Sequence, residues 1–135
     1  MPLKISLKPG ERVIIGGAAV TNGKTKSRFF IENKVPILRQ KDILGIKDAD
    51  TLCRRICFTI QLMYMDEGQL AKHHQTYWAL VKDMITVIPQ VIGLIDQINE
   101  QILTNHYYQA LKLAGKLIEF EQEVLNRVSE PVQSL

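Results

Sequence analysis

The 135-residue sequence predicts an α+β fold: a small, basic antiparallel β-sheet lobe over residues 1–48, then a bundle of about four helices over residues 49–135. Three observations carry this prediction. Up to about residue 45, apolar and polar residues alternate, the pattern of half-buried strands. From residue 67 onward, apolar residues recur three and four apart, the pattern of amphipathic helices. Between the two, the stretch DTLCRRICFTIQLMYMD (residues 50–66) is apolar nearly all round from Ile56 to Met65. Such a helix must be covered on most sides, so it is the expected hub of the bundle.

In chain order, Leu3, Ile5 and Leu7 alternate with Lys4 and Ser6, the first strand. Lys8-Pro9-Gly10-Glu11 reads as a turn, because proline presets φ at its second position and glycine accepts φ > 0 at its third. Arg12 to Ile15 is the next strand; Gly16-Gly17 allows a bulge or sharp bend, and Ala18 to Val20 resumes it. Asn22-Gly23 is the expected two-residue hairpin turn, with a return strand from about Thr25 to Ile31. Val35 to Arg39 makes a further strand, placed at an edge because Pro36 cannot donate a ladder hydrogen bond.

Asp50 and Thr51 are N-cap candidates for the hub helix. Leu70, Tyr77, Val81 and Met84, flanked by Trp78 and Ile85, form the stripe of the next helix, which Pro89 ends at Ile88. Val91, Leu94/Ile95, Ile98 and Ile102 form another stripe, stopped near Thr104-Asn105. The last helix carries Leu111, Ala114, Ile118, Leu125 and Val128, with Leu113, Leu117, Phe120 and Val124 on an adjacent face. Two apolar faces exceed what one neighbour covers, so Leu113, Leu117, Phe120 and Val124 are the candidate protein interface, for a second copy of the chain or another protein.

The formal net charge of +3 conceals an asymmetry. Residues 1–48 carry ten Lys/Arg against four Asp/Glu, a formal +6, while residues 49–135 carry seven against ten, a formal −3. A basic lobe joined to an acidic one fits a polyanion partner for the first and a protein partner for the second. Lysines that merely keep strand edges soluble would give the same balance. The N-terminus has no long apolar run of the secretory type, and no stretch reaches the roughly 20 apolar residues of a membrane span. The expected location is the cytoplasm, with no membrane association.

No phosphate loop, nucleophile elbow or spaced carboxylate pair is present, so the sequence is read as a non-enzyme with no cofactor. His73 and His74 are adjacent and on a helix point about 100° apart, so they read as surface histidines and not as a metal site. Cys53 and Cys57 read as reduced thiols packing as small hydrophobes. The basic segments are the better candidate for function. Lys8 and Arg12 bracket the first turn; Lys24, Lys26 and Arg28 alternate along the return strand; Arg39 and Lys41 follow the same spacing later. These seven are the candidate RNA contacts, since a row of cations can track phosphates. Of Phe29 and Phe30, one should point inward; the other is free to stack a base or to pack against another element.

The order of these segments resembles the flagellar biosynthesis regulator family FlbT. The stretches that carry the resemblance are LKPGERVIIGGAAVTNG, LRQKDIL, ADTLCRRICFTIQLMYMD and YYQALKLAGKLIEFEQEVL, which span most of the chain. The resemblance implies a post-transcriptional regulator of flagellin that acts at the 5′ untranslated region of flagellin mRNA, as a repressor or activator, together with the small flagellar protein FlaF. The segment KPGERVIIG also looks like the opening of the carbon-storage regulator family, small β-sheet dimers that bind mRNA leaders. Lys8, Gly10-Glu11 and Ile15-Gly16 stand where that family has a basic residue, a Gly-Glu turn and the end of an apolar strand. Arg39 is the nearest counterpart of its RNA-contacting arginine. The sequence departs from that family in an extra residue after Arg39, a lone Lys8 where two arginines are usual, and the appended helices. Two functions are therefore expected: an mRNA-leader-binding regulator, or a chaperone for flagellin or FlaF that affects mRNA only indirectly.

Overall fold

A computed structural model describes residues 2–129, the last two by backbone alone, so Met1 and residues 130–135 of the two expected lobes lie outside the described residues. Five strands precede four α-helices: β1 (Leu3–Leu7), β2 (Arg12–Ile15), β3 (Ala18–Thr21), β4 (Ser27–Ile31), β5 (Ile37–Arg39), α1 (Leu52–Met65), α2 (Leu70–Val87), α3 (Ile92–Leu103) and α4 (Tyr107–Ser129). The chain divides into two compact units, one ending at Leu44 and one beginning at Gly45. The α+β organisation is the predicted one.

In the first unit the strands make two small antiparallel sheets, β1-β4 and β3-β2-β5. Ile5, Leu7 and Val13 are buried between them, with Ile15, Val20, Phe29, Ile31 and Ile37 packed around. The first turn forms as read. Glu11 donates its N–H to the Lys8 carbonyl at 3.0 Å, and Gly10 takes the positive φ of 73° that a type II turn requires at that position. β5 is an edge strand, as Pro36 demands.

The hairpin assignment differs from the sequence reading. Gly16 and Gly17, at φ 56° and 88°, are the two-residue turn, and they fold β3 back onto β2 with Ile15 opposite Ala18. Asn22-Gly23 has no positive φ and makes no hairpin; β4 starts only at Ser27 and pairs with β1 instead. The Asn22 side chain explains why. Its amide donates to the carbonyls of Leu7 (3.2 Å), Lys8 (2.8 Å) and Thr25 (2.9 Å) and accepts from the Ser27 hydroxyl (2.7 Å), so it pins a loop across the first turn. Lys24 and Lys26 accordingly lie in that loop, and only Arg28 of the expected row is on the strand.

In the second unit α1 packs against both α2 and α4, and α3 packs against α4, so α1 is the hub the sequence predicted. Thr51 caps it, its hydroxyl accepting the Arg54 N–H at 3.2 Å, and Arg54 reaches back to Asp50 at 3.0 Å. Cys53, Ile56, Cys57, Ile60 and Met63 are buried along it. The buried stripes of α2 (Tyr77, Val81, Met84) and of α3 (Ile95, Ile98, Ile102) are the predicted ones. Asn105 at φ 63° marks the stop after α3.

Two side chains lie elsewhere than the sequence pattern suggests. His73 is not on the surface: it extends the stripe of Tyr77 and Val81 one turn toward the N-terminus and is buried. Its Nε2 lies 3.1 Å from an Asp66 carboxylate oxygen, which satisfies that nitrogen. Leu117 of the expected α4 interface is wholly buried in the unit's own core with Ala110, Leu111 and Ala114, and is unavailable to a partner. Leu113, Phe120 and Val124 are half-buried. Among the described residues no helix is long and apolar enough to cross a membrane.

Candidate nucleic-acid interface

Four cations of the first unit meet in a cleft of about 590 Å³ lined by Ser6, Leu7, Lys8, Glu11, Lys26, Arg39 and Lys41. Four elements bring them together. The end of β1 supplies Ser6 and Leu7, the Pro9-Gly10 turn holds Lys8 against Glu11, the Asn22-pinned loop delivers Lys26, and the end of β5 supplies Arg39. The register of β5 on β2 sets Arg39 opposite Val13, and the Arg12 N–H bonds the Gln40 side chain at 2.6 Å, which fixes the backbone entering Lys41.

Arg39 is the fixed point of the cleft. One Nη donates to the Ser6 carbonyl at 2.9 Å and lies 3.4 Å from the Glu11 carboxylate. The other Glu11 oxygen accepts the Lys8 N–H at 2.8 Å. That backbone hydrogen bond, aided by Arg39 and opposed by burial, holds the Glu11 carboxyl below its ordinary value and so in its anionic form. Glu11 thus anchors the guanidinium. The Arg39 Nε–H is buried without a hydrogen-bond partner, an uncommon state for a buried donor. Lys8, Lys26 and Lys41 are exposed. Four cations against one carboxylate make the cleft strongly electropositive.

Two smaller depressions continue it. One of about 370 Å³ shares Lys8, Glu11 and Lys41, and one of about 280 Å³ shares Ser6 and Lys26 and adds Ser27 and Arg28. Five of the seven residues singled out from sequence, Lys8, Lys26, Arg28, Arg39 and Lys41, therefore line one continuous tract. Arg12 and Lys24 are exposed and line none of its three parts. Sequence reasoning missed Ser6, which offers a backbone carbonyl that no side-chain pattern signals. It also missed Glu11, whose place in the Lys-Pro-Gly-Glu turn was the available clue. Among the described residues no group of three or more His, Cys, Asp or Glu side chains is placed to hold a metal ion.

Fold and site define a small α+β protein that presents a cationic tract on a β-sheet unit and carries a separate helical unit. A family model described as Flagellar protein FlbT matches residues 3–125, and the chain belongs to the FlbT family of flagellar proteins. It is 37% identical over 131 residues to the probable flagellum biosynthesis repressor protein FlbT of Caulobacter sp. (strain K31), covering 96% of this chain and 100% of that one. The flagellum biosynthesis repressor protein FlbT of Caulobacter vibrioides (strain ATCC 19089 / CIP 103742 / CB 15) is 37% identical over 136 residues, 99% of this chain and 96% of its own. The probable flagellum biosynthesis repressor protein FlbT 1 of Bradyrhizobium diazoefficiens is 40% identical over 125 residues, 92% of this chain and 85% of its own. No solved structure matches.

Proposed function

We propose that this protein regulates flagellum biosynthesis by binding the 5′ untranslated region of flagellin mRNA through the cationic tract, and so alters translation or stability of the message. It is a binding protein and not an enzyme, and it works in the cytoplasm, where that message is. Family membership and the repressor names of its relatives support the regulatory role. The observation that carries the RNA reading is the convergence of Lys8, Lys26, Arg39 and Lys41 on one cleft. Exposed lysines meet phosphates as mobile point charges, whereas a guanidinium held by Ser6 and Glu11 presents a fixed donor fork. The helical unit would then bind FlaF, flagellin or a second copy of the chain.

A salt-dependent gel shift with the full-length protein and a flagellin leader RNA tests this reading. Saturable binding that weakens steeply with salt supports it. Capture of FlaF or flagellin with no leader shift at any salt would replace it with the chaperone reading, for which the half-buried apolar residues Leu113, Phe120 and Val124 of α4 are the supporting observation.

A further inference from the structure

The register of the β1-β4 ladder places Lys4 opposite Phe30 and Ser6 opposite Arg28. Strand alternation puts these four residues on one face and Ile5, Leu7, Phe29 and Ile31 on the other. The second set is buried in the core or packed against it. On the first face Phe30 is 61% exposed. A large apolar side chain this exposed contributes little to the fold. Within the β1-β4 ladder it has no apolar company, since the other exposed apolar residue of this strand pair, Leu3, alternates to the opposite face. Its neighbours are instead Lys4 across the ladder and Arg28 two residues back, at about 5 Å and about 7 Å by ladder geometry. None of the four positions is acidic; Glu32, the next residue on this side by alternation, comes after the end of β4. The face also runs into the cationic tract, because Ser6 and Arg28 belong to both.

A protein partner would call for an apolar patch around such a ring. A ring flanked by cations beside a groove for phosphates is the arrangement that single-stranded nucleic acid requires: bases stack on the aromatic face while the backbone follows the charges. A duplex, with its bases stacked on each other, can use the charges but not the ring. We infer that Phe30 is a stacking platform for an unpaired base of the RNA whose phosphates lie in the Lys8–Lys26–Arg39–Lys41 cleft, and that the protein therefore selects single-stranded over duplex segments of its target. This inference rests on the leader-binding reading above.

The test compares wild type with Phe30→Leu and Phe30→Trp, using a single-stranded flagellin leader fragment and the same fragment annealed to its complement. Because Phe30 lies outside the core, both variants should melt with wild type. Phe30→Leu should bind the single strand roughly 5- to 150-fold more weakly, the span of measured base–aromatic stacking. Its binding to the duplex should not change, and Phe30→Trp should restore the single-strand affinity. In a Phe30→Trp/Trp78→Phe protein, the indole emission should change on addition of the single strand only. If wild type shifts the leader but Phe30→Leu binds it within about twofold, or the indole is silent, the stacking inference falls and the leader-binding reading stands. Loss of FlaF or flagellin capture by Phe30→Leu with RNA binding intact would make the ring a protein contact and overturn it. Failure of wild type to bind either RNA removes both.

Discussion

Neutralising Lys8, Lys26 and Lys41 together, each to glutamine, separates electrostatic tracking of phosphates from every other role of the cleft. All three are exposed and line the cleft, and the substitution leaves the Arg39–Ser6–Glu11 anchor in place. If the lysines and the two arginines of the tract each meet one phosphate, a single strand releases about 0.7 counterion per contact, and the log–log salt slope is about −3.5. The triple variant retains two contacts and a slope of about −1.4. Raising salt from about 50 to about 200 mM should then weaken wild-type binding roughly 130-fold and variant binding only about sevenfold. Fluorescence anisotropy with a labelled flagellin leader at four or more salt concentrations measures both slopes, and circular dichroism checks that the variant is folded. Parallel slopes would refute the argument, because cations that do not displace counterions do not touch phosphate.

The helical unit yields further expectations. Burial pushes the Cys53 and Cys57 thiols up to about 12 and about 11 from an ordinary 9.0, with Glu121 adding to the Cys53 shift, so neither should react with a disulfide reagent at pH 8 until the protein unfolds. Both are acids whose value is raised by folding, so their contribution is complete below pH 9 and is lost as pH rises through about 11 to about 12. The urea midpoint should fall across that range, and a midpoint that rose there would contradict the burial. Ile60→Ala, at a wholly buried position on the hub helix, should cost about 2–5 kcal/mol in urea unfolding, whereas Leu125→Ala at a half-exposed one should cost well under that. Thr51→Ala removes the α1 cap and should cost about 1 kcal/mol, with Thr51→Ser close to wild type; equal losses would mean the hydroxyl is not what caps the helix.

Element types and buried stripes were legible in the sequence because they follow from periodicity, which is local. The α1 hub, the Pro89 break and the edge strand at Pro36 are of this kind. Pairing was not. Gly16-Gly17 and Asn22-Gly23 are both competent two-residue turns, and local chemistry does not rank them. The choice depends on β4 pairing with β1, a long-range partnership that leaves β3 to fold back on β2. That choice moves Lys24 and Lys26 off the strand and brings Lys26 to the cleft while Lys24 stays out of it. His73 was misplaced for a different reason: a polar residue at a stripe position is buried when a partner satisfies it, and Asp66, seven residues earlier, gives no sequence signal of doing so. Leu117 was misplaced because α4 has two apolar faces, and only packing on α1 and α3 decides which residues are covered.

Where the RNA touches the chain tests the central claim most directly. Ultraviolet crosslinking of a flagellin leader to the full-length protein, followed by mass spectrometry of the linked peptides, reads this out residue by residue. Crosslinks are expected only in the first unit, on the peptides that contain Ser6 to Glu11, Lys26 to Phe30 and Arg39 to Lys41. Crosslinks confined to α1–α4, or none under conditions where the leader is bound, would contradict that claim.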